Sequence, residues 1–191
     1  MPSAITHAAV GSLAAFAVAS GAPAGVPWRF GVLAVGCSVL PDLDVISFYY
    51  RLPYHSFLSH RGFFHSLFFS LILSAGVTTA FFSARDSFFR GRFRLLFFFF
   101  LLTGSHPLLD ALNSGGYGVA LFLPFEDGRY SFPWTPLPIS PVRIQSFFGP
   151  RGWAVLKSEI LWVWLPCFFL AMVLRQVCSN PAGNRKCAEG A

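Results

Sequence analysis

Seven ionisable side chains, His7, Asp42, Asp44, His60, His65, His106 and Asp110, lie inside or beside long apolar runs of this sequence. Placing such a group within a bilayer costs on the order of 2.5–3.5 kcal/mol by insertion scales, so chains that keep them use them. The spacings fit metal ligation. His106 and Asp110 are four apart, hence neighbours on one helix face and one turn deep. In Leu40-Pro41-Asp42-Leu43-Asp44 the proline loosens the helix, so two carboxylates two residues apart need not diverge as they would in a regular helix. Ser59-His60-Arg61-Gly62-Phe63-Phe64-His65-Ser66 reads as a helix start capped by Ser59. His60 then sits at the mouth and His65 about one and a half turns inside. Four imidazoles and three carboxylates exceed one tetrahedral site and suit two divalent ions, Zn²⁺ or Mn²⁺. With no cysteine in the set, a hydrolytic centre is expected rather than a structural one. Two metals about 3.5–4 Å apart can activate a water and hold both oxygens of a phosphoryl displacement. In that chemistry Asp42 or Asp44 orients or deprotonates the water, and Arg61, beside His60, grips a phosphate oxygen. His55 falls outside the pattern and reads as an interfacial residue. Glu126 and Asp127 read as a solvated turn before Gly128.

The elements that must position these groups are membrane helices. Of 191 residues, 54% are hydrophobic and only 12% charged, against about 25% charged in an ordinary soluble domain. With 24 Phe and a mean hydropathy of +0.59, the chain is neither disordered nor a secreted disulfide scaffold. The expected fold is all-α, a polytopic transmembrane bundle of about five helices with a long loop rich in proline and aromatic residues. The helices span about Ala4–Ala22, Phe30–Phe48, Gly62–Phe82, Phe93–Leu112 and Ile160–Val177. In the first, Ala4, Ala8, Gly11, Ser12, Ala15 and Ala19 form a small-residue face for close packing. Gly11, one turn below His7, and Gly104 leave space for ligands of neighbouring helices. Trp162 and Trp164 read as interface anchors.

Alternating helix directions carry the seven groups to one membrane face. His7 starts the first span, Asp42 and Asp44 end the second, His60 and His65 open the third, and His106 and Asp110 close the fourth. Scattered structural residues would have no reason to share that layer. A lone buried histidine is usually just a satisfied core group, and seven in one layer are not explained that way.

The loop Asn113–Glu159 holds six prolines, which forbid regular helix through most of it. Within it, Arg129-Tyr130-Ser131-Phe132 reads as a short strand. Residues 1–178 form the membrane-embedded domain and 179–191 a polar tail. Residues 19–24 are similar to a signal-peptide cleavage region, but no Lys or Arg precedes the apolar run, so the segment reads as a retained first helix. Cys37 and Cys167 sit in apolar runs as small hydrophobes. The net charge of +6 belongs to loops flanking spans, eight basic residues on one side against six on the other. The Arg85–Arg94 loop dominates near the span ends, which puts the N-terminus, the long loop and the active site on the extracytoplasmic face. No basic stripe with interleaved aromatics suggests nucleic acid as a partner.

Leu40-Pro41-Asp42-Leu43-Asp44, the Ser59–Ser66 motif, His106-Pro107-Leu108-Leu109-Asp110 and the early Thr6-His7 resemble the family of bacterial and archaeal membrane-bound metal-dependent hydrolases. One branch is known as the LexA-regulated inner-membrane hydrolase. Asn113-Ser114-Gly115-Gly116-Tyr117-Gly118-Val119, leading to Leu123-Pro124-Phe125, is similar to that family's loop after the last motif. The resemblance runs over about Ile5–Pro141. The family is distantly similar to zinc-dependent phospholipase C and single-strand nucleases, which cleave phosphoesters with trinuclear zinc. The resemblance therefore implies an inner-membrane hydrolase of a phosphoester that holds two or three zinc ions. The family usually has Thr before the second His of its motif, where this chain has Phe64.

Taken together, the expectation is an integral-membrane metal-dependent hydrolase whose partners are the bilayer and a lipid or lipid-linked substrate, with the long loop as a lid. An amide-cleaving lipid hydrolase is the nearest alternative, since an activated water also attacks carbonyls. A His/Asp-based transporter would favour internal repeats and mid-membrane sites, and the chain shows no repeat. A structural metal clip would need fewer ligands.

Overall fold

Why the helix Leu67–Phe81, α4 in chain order, starts where it does decides much of this architecture. In the computed structural model, Arg61 has a left-handed backbone (φ 61°), which a right-handed helix cannot accommodate. A Cβ at Gly62 would come within 2.6 Å of the Phe57 carbonyl oxygen, so the chain there folds on itself as a tight loop. The helix begins only at Leu67. Its cap is Ser66, whose hydroxyl accepts the Phe69 N–H at 3.0 Å. The expected cap, Ser59, instead donates to the Ser56 carbonyl at 2.7 Å. His60 and His65 consequently stand in a loop and a short 3₁₀ turn (Phe63–His65), not inside the helix.

The structure describes residues 2–19, 28–82, 92–116, 118–141 and 144–179. Most of the basic Arg85–Arg94 loop and the tail beyond 179 lie outside them. The helices are α1 (Ala4–Ala19), α2 (Trp28–Val39), α3 (Ile46–Tyr49), α4 (Leu67–Phe81), α5 (Arg92–Ala111), α6 (Ile144–Phe147), α7 (Pro150–Glu159) and α8 (Leu165–Ser179). A 3₁₀ turn, Leu40–Val45, joins α2 to α3, and a π turn, Ile160–Trp164, joins α7 to α8. No strand occurs among the described residues. Tyr130 makes a single antiparallel bridge to Val119, and Phe132 N–H already bonds the Ala111 carbonyl, so the expected strand does not extend.

Among the described residues, three continuous helical stretches are long and apolar enough to cross a membrane: Trp28–Tyr49, Arg92–Ala111 and Pro150–Gln176. The apolar helices α1 and α4 have 16 and 15 residues, roughly 24 and 22 Å, against a hydrocarbon core of about 30 Å. The last stretch begins ten residues earlier than expected. Gly149 is extended and Pro150 takes the first helical position, where its missing N–H costs nothing. That proline starts a helix instead of forbidding one.

The apolar core lies where α1, α2, α4 and α5 meet. It includes Ala15, Phe30, Ala34, Cys37, Val77, Leu95, Phe99 and Leu102. Phe30 and Phe99 are fully buried, with ring centroids 5.8 Å apart in an edge-to-face pair. The packing face of α1 is Thr6, His7, Gly11 and Ala15, whereas Ala4 and Ser12 of the expected small-residue face are exposed. A Cβ on Gly11 would collide with the Ser38 hydroxyl and sit 3.0 Å from the Ala34 carbonyl oxygen, so glycine is what lets α1 and α2 close up. Leu161, Phe168, Phe169 and Leu170 point outward, as lipid-facing side chains do. Trp162 stacks edge-on against Trp134 at the protein edge. Trp164 differs from a plain anchor, since its indole N–H donates to the Thr6 hydroxyl at 2.8 Å.

Candidate metal centre

The expected layer of ionisable groups exists, at the end of the bundle where α1 starts and α2 and α5 finish. Six of the seven fall into two groups, Asp42, His65, His106 and Asp110, and Asp44, His60 and His65. In each, one ligand atom per residue lies within 4.8 Å of the others. His65 belongs to both. The remaining residue, His7, stacks on His106 with ring centroids 3.7 Å apart and brings Nε2 to 3.5 Å from Asp110 Oδ1.

Local backbone geometry explains how Asp42 and Asp44 serve one site. Residues i and i+2 diverge by about 160° on an α-helix but only about 120° on a 3₁₀ helix. Pro41 falls in the 3₁₀ turn Leu40–Val45, and both carboxylates are buried. Asp44 acts as an organiser. Its Oδ1 receives His60 Nδ1 at 2.7 Å, and its Oδ2 accepts the Arg61 backbone N–H at 3.1 Å and lies 2.9 Å from His65 Nδ1.

The tautomer of His106 follows from its partner. His106 Nδ1 sits 2.7 Å from the Ser38 carbonyl, which can only accept, so the proton is on Nδ1. Gly11 makes this contact possible by admitting the Ser38 segment. His65 presents Nδ1 to the Asp44 carboxylate and Nε2 to Asp110. The Nε2 atoms of His65 and His106 lie 3.1 Å apart. Asp42 Oδ1 lies 3.5 Å from His106 Nε2, and Asp110 Oδ2 3.4 Å from His65 Nε2.

Two imidazole nitrogens this close, beside two carboxylates, call for a cation between them, a proton or a metal ion. Two nitrogens on a tetrahedral ion at about 2.05 Å are themselves about 3.3 Å apart. Both oxygens of Asp42, Oδ1 of Asp110 and both ring nitrogens of His7 are buried with no hydrogen-bond partner among the described residues. Buried polar atoms left this way are costly unless something binds them. The residues present therefore fit a divalent cation. His60, His65 and His106 also each have a hydrogen-bonding or carboxylate partner on Nδ1, the arrangement that orients ligand imidazoles.

Arg61 is 4% exposed, so it is not the interfacial charge its position beside a span suggests. Its Nε donates to Asp110 Oδ2 at 3.1 Å and its Nη1 to the Gly115 carbonyl at 3.3 Å, while Nη2 has no partner among the described residues. Gly116, at φ 128°, lets the loop after α5 pass against the guanidinium, because a Cβ there would sit 2.7 Å from Nη1. His55 is exposed and outside the site. Glu126 accepts the Tyr130 hydroxyl at 2.6 Å in an exposed turn, as expected.

Two structural residues escaped the sequence reading. Arg129 donates to the Tyr54 carbonyl at 2.6 Å, to the Ser59 hydroxyl at 3.0 Å and to the Arg61 carbonyl at 3.3 Å, fastening the loop that carries His60 and Arg61. Partial burial lowers its pKa from the ordinary arginine value. Glu159 is fully buried and accepts from the Ser3 backbone and hydroxyl and from the Thr6 hydroxyl, pinning the start of α1 beside His7. Its signal was available: it is an acid at the start of an apolar run, on the same membrane face as the other seven.

Over residues 1–182 the chain matches the YdjM inner membrane protein family. It belongs to that family. It is also 34% identical over 174 residues to the inner membrane protein YbcI of Escherichia coli (strain K12), covering 91% of this chain and 97% of that one. No solved structure matches the chain. An inner-membrane location agrees with its apolar helices and outward-facing aliphatic and aromatic side chains.

Proposed function

We propose that this inner-membrane protein is a metal-dependent hydrolase that cleaves a phosphoester of a lipid or lipid-linked substrate. The observation that carries the reading is the pair of Nε2 atoms of His65 and His106 at 3.1 Å, beside Asp42, both of whose carboxylate oxygens are unpartnered, and Asp110, whose Oδ1 is. Asp42, His65, His106 and Asp110 would hold one ion, with His7 beside Asp110, and Asp44, His60 and His65 would orient or hold a second. Zn²⁺ suits this donor set best and Mn²⁺ next. Divalent ions at such a site make water a nucleophile near neutral pH and polarise a phosphoryl oxygen.

The chain's own groups supply the rest. Arg61, locked by Asp110 and the Gly115 carbonyl, keeps Nη2 free to donate to a phosphate oxygen in a charge-assisted hydrogen bond. Asp42, neither of whose oxygens has a hydrogen-bond partner, would ligate the ion through one oxygen and accept a proton from water with the other. Asp44 is committed to His60, His65 and Arg61, so its role is to fix them. The layer sits at helix ends, not at mid-membrane, which favours hydrolysis over transport. The Arg85–Arg94 cluster supports an extracytoplasmic active site.

The test is release of phosphate or head group from a panel of phospholipids and polyprenyl phosphates by purified protein in detergent, with and without chelator. His60→Ala, His65→Ala, His106→Ala and Asp110→Ala should each lower turnover by at least about 100-fold while leaving membrane insertion intact. His55→Ala should keep wild-type turnover. Wild-type turnover in all four ligand variants would refute the reading. Cleavage of an acyl-amide lipid alone would keep the metal centre and change the substrate class.

A further inference from the structure

Two apolar cavities reach the ligand layer from different sides of the turn Leu40–Val45, and they end differently. One, of about 410 Å³, ends on Asp44, whose oxygens are already taken by His60, Arg61 and His65. The other, of about 420 Å³, ends on Asp42, whose two oxygens are buried and unpartnered. Asp42 is the only charged residue in the walls of this second cavity among the described residues. Ile5, Val45, Pro141, Phe147 and Phe148 supply apolar walls. Its volume lies within the range of small-molecule sites.

The mouth is apolar too. Ile5 is 50% exposed and Phe148 76%, at the same end of the bundle as the ligand layer. A passage for a water-soluble substrate would be rimmed by polar groups. One whose walls are mainly apolar, with Ser3 and Ser140 as its only hydroxyls and the unpartnered carboxylate of Asp42 as its only charge, suits an amphiphile with a polar head and one hydrocarbon tail.

We propose that the Asp42 cavity is the subsite for the hydrocarbon chain of the substrate, an alkyl or prenyl phosphoester that enters sideways from the bilayer with its head group against Asp42. The inference rests on the metal-hydrolase reading for its head group, because an anionic phosphate meets the Asp42 carboxylate only across a cation. The chain subsite itself rests on the cavity. The Asp44 cavity lacks an open polar end and does not orient such a molecule.

The experiment uses purified, metal-replete protein in phosphatidylcholine nanodiscs and n-decylphosphonate carrying a diazirine at its terminal carbon. After photolysis, mass spectrometry should find the label on Ile5, Val45, Phe147 or Phe148. Unlabelled n-alkylphosphonates should compete about fourfold better for each added methylene, the value of one buried CH₂, and then level off once the cavity is full. Ile5→Trp, which fills the mouth, should cut labelling at least tenfold with metal content unchanged, and the conservative Ile5→Leu should restore it.

Label confined to the outer face of α8, no break in the chain-length series, or equal labelling of wild type and Ile5→Trp would each overturn the proposal. A terminal-diazirine n-decanol separates it from the reading beneath it. If decanol labels the cavity but decylphosphonate does not, the chain subsite stands and the metal-bound head group falls. If both label the cavity and p-nitrophenyl decyl phosphate is not turned over, the subsite stands and the hydrolase reading falls. Turnover of p-nitrophenyl decyl phosphate without labelling of the cavity overturns the subsite alone.

Discussion

Glu159 offers the most direct measure of what holds the ligand layer in place. It is 0% exposed and takes three donors, the Ser3 backbone N–H, the Ser3 hydroxyl at 2.6 Å and the Thr6 hydroxyl at 2.8 Å. Replacing it with alanine strands the Ser3 N–H, which costs about 1–3 kcal/mol. The two hydroxyls can turn to other acceptors, so their share is smaller. The emptied side-chain volume adds about 2 kcal/mol. A total of about 3–5 kcal/mol corresponds to a melting temperature lower by roughly 10 °C. Glu159→Gln keeps the volume and one acceptor for Ser3, and its amide can donate to the hydroxyls. It should cost about 1 kcal/mol, a shift of about 3 °C. Because Thr6 precedes His7, loosening α1 should also weaken metal binding, about 10-fold to 100-fold in the alanine variant. Thermal unfolding in detergent and a competitive metal titration read both effects. An alanine variant that melts within 2 °C of wild type with unchanged metal affinity would refute the anchoring argument. Equal losses in the alanine and glutamine variants would show that charge, not hydrogen-bond geometry, holds the helix.

His65 stands in both ligand groups and His60 in only one, so metal analysis of purified protein should find about two divalent ions in wild type, about one in His60→Ala and fewer in His65→Ala; wild type without any transition metal under non-chelating conditions would contradict the site. Gly11→Ala should cost about 1–3 kcal/mol by forcing α1 away from α2 and loosening the Ser38 carbonyl from His106, whereas Gly76→Ala, where an added Cβ meets nothing within 4 Å, should melt no lower than wild type. In a cysteine-free background, an impermeant reagent on intact cells should label Ser131→Cys and spare Ser87→Cys, and the reverse pattern would invert the orientation.

Which residues would meet was legible in the sequence because membrane helices alternate direction. That rule alone carried His7, Asp42, Asp44, His60, His65, His106 and Asp110 to one face, independent of packing detail. The proline in Leu40-Pro41-Asp42-Leu43-Asp44 likewise announced that the two carboxylates would not diverge as on an α-helix, since the constraint is local to one turn. Five apolar helices were readable from hydropathy, but their ends were not. α4 starts at Leu67 because Arg61 is left-handed, and Arg61 is held so by Asp44, Asp110, Ala120 and Arg129, partners from distant segments. Sequence pattern contains no term for such long-range ties, so His60 and His65 were placed on a helix they precede. The split into two groups sharing His65, the tautomer of His106 set by the Ser38 carbonyl, and the pinning of α1 by Glu159 are likewise tertiary. Each depends on atoms from separate segments approaching within about 3 to 5 Å, distances that hydropathy and spacing do not encode.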